Sequence, residues 1–134
     1  MTQMMTQNTP SSGTFVPAEV FNMLGSMTRA DADNCDFGII QLNDSGNCVF
    51  ANRYQADLAG LQPSAYDGQH WFTKIAPCTN NSLIYGSFKK GVAAGSLNLV
   101  MPYTFTFKMR PTAVYLHLFR DPASGKNFAF CTRA

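Results

Sequence analysis

The stretch LVMPYTFTFKMRPTAVYLHLFRDPASGKNFAFCTR, residues 99–133, decides the fold. Its odd positions begin Leu99, Met101, Tyr103, Phe105, Phe107 and Met109, whereas Thr104, Thr106 and Lys108 are polar. A period of two marks a strand with one face on a core. Arg110-Pro111-Thr112 turns the chain, and residues 114–120 read as the next strand. Asp121-Pro122-Ala123-Ser124-Gly125 turns it again, and residues 127–133 form another.

Working upstream, residues 37–42 and 48–51 read as two more strands, joined by Asn43-Asp44-Ser45-Gly46-Asn47. Between the two groups of strands the pattern is helical. Asn52 suits the N-cap of a helix over residues 53–59, closed by Gly60. Residues 63–67 and 70–76 each read as a helical turn, the second stopped by Pro77. After a polar loop at 78–81, Ser82 is the expected cap of a helix over 83–94, with Ile84, Phe88 and Val92 on one stripe. Two strands, several helices and three strands make an α+β fold, with helices on one face of an antiparallel sheet. Residues 1–14 read as a flexible tail. Residues 15–35 read as an N-terminal helical cap, with Val20, Phe21 and Leu24 on its docking face, and residues 36–134 as the main domain.

Composition excludes several functions. The 134 residues fit one domain, and 13% are charged, against about 25% in an average domain. A net charge of +2 is too small for binding a nucleic-acid backbone through a basic face. No apolar run is long enough to cross a membrane. Residues 1–10 lack the basic and apolar regions of a secretory leader, so a cytoplasmic protein with reduced thiols is expected. The cysteines at 35, 48, 78 and 131, with His70 and His117, lack metal-site spacing, and no metal is expected. No hydrolase or nucleotide-binding motif is present, and neither histidine is read as an activating partner for a cysteine, so no enzyme is expected.

Cys78 follows Ala76-Pro77 in the loop between helical segments. A helix N-terminus facing its sulfur would favour the thiolate. On spacing alone, a small packed side chain is the commoner reading of such a cysteine.

The wider context of Cys78 changes that reading. FGIIQL (37–42), GN (46–47), WFTKIAPCT (71–79), YGSFKKGVAAGSLN (85–98), YTF (103–105), MRPT (109–112) and VYLH (114–117) follow in order. The sequence with these segments resembles the photoactive yellow proteins, bacterial blue-light receptors within the PAS domains. The likeness runs over residues 37–133, about three quarters of the chain. It implies a PAS-like five-stranded antiparallel sheet, with helices packed on it and an N-terminal cap. It also implies 4-hydroxycinnamic acid (p-coumaric acid) bound as a thioester to Cys78. Signalling would proceed by trans–cis photoisomerisation, proton uptake and loosening of the cap. By position, Phe72, Ile75, Val100, Phe105, Phe107 and Met109 would wall the pocket.

The sequence departs from the family at the phenol end. Ala51 and Gln55 stand where the family has a tyrosine and a protonated glutamate. Ala59 replaces its threonine and Leu61 its arginine. Gln55 can hydrogen-bond a phenolate but has no proton to transfer. Fewer donors raise the chromophore's pKa, toward a neutral phenol absorbing in the near ultraviolet. Tyr54, three residues after Ala51, is the expected replacement donor. A monomer or weak dimer signalling to another protein is expected, with no nucleic-acid or membrane partner. The alternative is a light-independent PAS-type interaction or ligand-binding module.

Overall fold

The computed structural model describes residues 13–106 and 110–134. Five strands form one antiparallel sheet in the order β2-β1-β5-β4-β3. They are β1 (Gly38–Leu42), β2 (Cys48–Ala51), β3 (Asn98–Phe105), β4 (Thr112–Arg120) and β5 (Asn127–Arg133). Helices α1 (Ala18–Phe21) and α2 (Arg29–Asp33) precede the sheet, while α3 (Arg53–Ala59) and α4 (Ser87–Ala94) lie between β2 and β3. The architecture is the α+β sheet that the strand order implies.

Helices on one face alone is too simple. Ile40, Leu42, Leu116, Leu118, Ala129 and Cys131 pack into one core with residues of α3, α4 and the turns between them. Their neighbours Ile39, Phe119, Phe128 and Phe130 face the other way, into a second core with Val16, Val20, Phe21, Leu24 and Met27. The N-terminal cap therefore covers the opposite face. Strand residues alternate between faces. Because both faces of β1 are covered, its GIIQL segment is buried throughout. The sequence-level alternation is clearest in β3, the edge strand, where Met101, Tyr103 and Phe105 are better covered than Pro102 and Thr104.

Local chemistry explains the boundaries. The side chain of Asn52 accepts from the N–H of Gln55 at 3.1 Å and starts α3; Gly60 closes it at φ 71°. Thr28 and Asp31 form a reciprocal capping box on α2, a helix the sequence pattern did not mark. Asn81, not Ser82, caps the segment before α4, because its Oδ1 accepts from the N–H of Ile84 at 2.8 Å. That segment enters as a π-helical turn, Ser82–Gly86, before α4 begins.

Under the cap, Phe21 packs edge-on against Phe119 and Phe130, with centroids at 4.9 and 5.7 Å. His117 is fully buried beside them. Its Nε2–H donates to Asn98 Oδ1 at 2.8 Å, and its Nδ1 accepts from the Thr14 hydroxyl at 2.7 Å. With these partners the neutral ring is fully hydrogen-bonded, so nothing in the hydrogen bonding asks for the charge. Burial pushes its pKa down to about 4. The unfolded chain takes up this proton near pH 6.5, before the folded one does. Stability should therefore be complete well above pH 6.5 and fall as the pH drops through 4, by roughly 3 kcal/mol in all. Urea denaturation at pH 7.5 and 4.5 should show the loss, and His117→Gln should lessen it. An equal loss in that variant would rule out this origin.

Candidate functional site

Asn52 joins the cap, the sheet and α3. Its Nδ2 donates to Ala32 O at 2.8 Å and Phe37 O at 2.9 Å, and its Oδ1 also accepts from Ile39 N at 3.0 Å. The carboxamide is completely buried. It holds α3 against β1 and turns the Gln55 side of the helix inward.

Beside α3 lies a cavity of about 310 Å³. That is at the small end of the range for ligand pockets. Cys78, Gln55, Ala59, Leu61, Ile75 and Phe105 all line it, as do Leu58, Tyr66, Trp71 and Lys74. Leu58, Trp71, Ile75 and Phe105 give it apolar walls. Trp71 stands edge-on to Phe105, with centroids 6.3 Å apart and planes at 87°.

Cys78 sits in a 3-10 turn, Pro77–Thr79, half-buried. The turn is pinned from outside. Tyr103 donates its hydroxyl proton to the Cys78 carbonyl, and Asn81 Nδ2 reaches both that carbonyl (3.2 Å) and the Tyr103 oxygen (2.9 Å). Thr79 ties back to Ala76 O through its hydroxyl at 2.7 Å. The other thiols sit in different surroundings. Burial pushes Cys48 and Cys131 up to about 12. Burial, followed by Asp36 and Asp31, also raises Cys35.

Gln55 is 3% exposed, and its Oε1 is buried without a hydrogen-bond partner among the described residues. The amide fits because residue 38 is glycine: a Cβ there would lie 2.3 Å from Oε1. Tyr66 is fully buried next to it and donates its hydroxyl proton to the Gln55 main-chain oxygen at a long 3.3 Å. Burial raises the pKa of Tyr66, so the group is a neutral donor.

Other expected site residues lie elsewhere. Ala51 is buried but ends β2, paired with Ile40, and does not line the cavity. Because Asn52 is extended, the helical phase linking Ala51 to Gln55 and Tyr54 does not exist. The Tyr54 oxygen accepts from the N–H of Arg133 at 3.3 Å, at the end of β5, and is no part of the cavity lining. Phe72 lies behind Trp71, stacked on Tyr85 at 4.4 Å. Val100 is half-buried on β3, opposite His117. Phe107 and Met109 lie outside the described residues. Tyr66, Trp71 and Lys74 escaped the sequence reading. Tyr66 follows PSA in a polar turn that resembles surface.

His70 bonds Ser45 O and Thr73, both at 2.9 Å, and Tyr85, whereas His117 is held under the cap. Among the described residues no cluster of His, Cys, Asp or Glu is able to hold a metal, and no helix is long and apolar enough to cross a membrane.

No family model matches the chain. Curated relatives do. The photoactive yellow protein of Rhodothalassium salexigens is 34% identical over 115 residues, 86% of this chain and 92% of the relative. That of Halochromatium salexigens is 35% identical over 100 residues, 75% of this chain and 80% of the relative. The chain belongs to the photoactive yellow protein family. Among solved structures, the photoactive yellow protein domain of the sensor histidine kinase Ppr from Rhodospirillum centenum superposes with a TM-score of 0.77. It is 29% identical and covers 84% of this chain and 98% of its own. A Cronobacter turicensis RpfR PAS domain, in complex with BDSF, shares the fold at a TM-score of 0.60 and 16% identity, over 74% of this chain and 94% of its own. This photoactive yellow protein family member has the fold of PAS domains.

The Gly38 contact gives a test of the site's construction. Gly38→Ala should displace the Gln55 amide and also crowd the Cys131 carbonyl, which lies 3.2 Å from the added Cβ. A loss of roughly 1–3 kcal/mol in urea denaturation is expected. An unchanged midpoint would show that Gln55 is not held against β1.

Proposed function

We propose that the chain is a light receptor that carries 4-hydroxycinnamic acid as a thioester on Cys78. The observation that supports it best is one cavity lined both by Cys78 and by Gln55, whose buried amide oxygen has no partner among the described residues. A thiol able to form an ester, apolar walls and a polar group wanting a partner suit a flat aromatic acid with a hydroxyl at its far end.

The bound acid supplies light absorption and a double bond that isomerises. The chain's residues do the rest. Cys78 Sγ forms a bond to the acyl carbon of an activated ester or anhydride, the carbon–leaving-group bond breaks, and the thiol proton passes to solvent. Trp71, Ile75 and Phe105 keep water from the thioester. Tyr103 and Asn81 hold the Cys78 carbonyl and so orient the attachment point. At the far end, Gln55 Oε1 asks for a donor, which a neutral phenol is and a phenolate is not. With alanine at 51 and leucine at 61, the phenol's pKa lies above the ordinary value near 10. The dark protein then absorbs in the near ultraviolet at neutral pH and moves toward the visible only at high pH.

A change of isomer misfits the cavity, and α3 is the element that feels it. Asn52 connects α3 to the Ala32 carbonyl of the cap, which gives the misfit a route to the opposite face of the sheet. The freed cap then meets a signalling partner, another protein.

The test is reaction of the chain and of Cys78→Ala with the anhydride of 4-hydroxycinnamic acid. A shifted absorption band and a mass increase of one acyl group are expected in the chain and neither in the variant. The same unbound spectrum from both would sink the photoreceptor reading and favour a light-independent ligand or interaction module.

A further inference from the structure

Two buried groups that line the cavity meet each other: Gln55, whose amide is seated against Gly38, and the Tyr66 hydroxyl. Gln55 Oε1 is an acceptor with no donor among the described residues. Tyr66 has a donor spent on a long bond, 3.3 Å to the Gln55 carbonyl, and lines the same cavity. Tyr54, the residue nearest in sequence to supply a hydroxyl, is engaged with Arg133 instead. A long bond is weak and easily exchanged, whereas an unpaired buried oxygen is costly. A hydroxyl entering between them would relieve both, accepting from Tyr66 and donating to Gln55 Oε1. An anion would accept from Tyr66 but leave Oε1 unpaired.

We propose that Tyr66 is the residue that receives the ligand's phenol, in a chain of hydrogen bonds from Tyr66 through the phenol to Gln55 Oε1. This deepens the reading of Cys78 as an acyl carrier and rests on it. Tyr66 is a positioning and specificity residue: it selects a ligand with a hydroxyl at the far end. Gly38 makes the site possible by leaving room for the amide. The hydroxyl comes from the turn after α3, not from the strand end at Ala51.

The experiment loads the full chain with 4-hydroxycinnamoyl anhydride and titrates the phenol by absorption, beside Tyr66→Phe and Tyr54→Phe. A donor to the phenol oxygen is worth more to the anion than to the neutral form. Tyr66→Phe should therefore raise the midpoint by about one pH unit, and Tyr54→Phe should leave it in place. If all three load and Tyr66→Phe titrates as the unaltered chain does, the role of Tyr66 is overturned while acylation of Cys78 stands. If the unaltered chain takes no acyl group, both fall.

A second measurement needs no variant. In the chain labelled with ¹³C at tyrosine Cζ, loading with 4-hydroxycinnamoyl should shift the buried Tyr66 signal, and loading with cinnamoyl, which lacks the hydroxyl, should not. Equal shifts with the two acids would overturn the proposal even where Tyr66→Phe fails to fold.

Discussion

The buried carboxamide of Asn52 holds together parts of the molecule that are otherwise only in contact. Its two N–H groups go to carbonyls of Ala32 and Phe37, and its oxygen takes the N–H groups of Ile39 and Gln55. Cap, first strand and α3 thus share one side chain with no hydrogen-bonding capacity left over. An apolar residue of similar size would leave four main-chain groups without these partners, each at a cost of about 1–3 kcal/mol if water does not reach it. The consequence for the site is positional. The roll of α3 about its axis, and hence which side chain enters the cavity, is set at its first residue. Gln55 points in because Asn52 caps the helix there, and Tyr54, about 100° around the helix, points toward the end of β5.

Much of the fold was legible because its signals are local. Asn52 and Gly60 delimit α3 by capping chemistry, which acts within a few residues. The boundaries of β2 and β5 follow from turn residues on either side. The double covering of the sheet was harder to see, since a strand buried on both faces shows an apolar run and not an alternation. GIIQL is such a run, and it gives no hint of which residues face the cap. The π-helical turns at Trp71–Ile75 and Ser82–Gly86 carry no sequence mark either. The first of them carries Trp71 and Ile75, both of which line the cavity.

The site divides along the same line. Cys78 stands out through the family resemblance of its surroundings, and Gln55 through its place in a capped helix. Tyr66 was hidden because its burial depends on long-range packing. The segment PSAYDG has the composition of an exposed turn, yet Tyr66 is completely buried beneath α3. Tyr54 misled for the opposite reason. Its distance from Ala51 suggests a shared helical face, but a strand ends between them and the periodicity does not carry across.

The four thiols show selectivity by subtraction. Cys48 and Cys131 lie in the core of the sheet, where burial both blocks approach and holds the proton; Cys35 is disfavoured as a thiolate by its partial burial and then by two carboxylates, Asp36 and Asp31. A reactive acyl donor therefore finds three of its competing targets quietened by packing and charge. On the proposed reading Cys78 is set apart as much by where the other sulfurs are kept as by anything built around it, and losing the fold would erase that distinction along with the pocket.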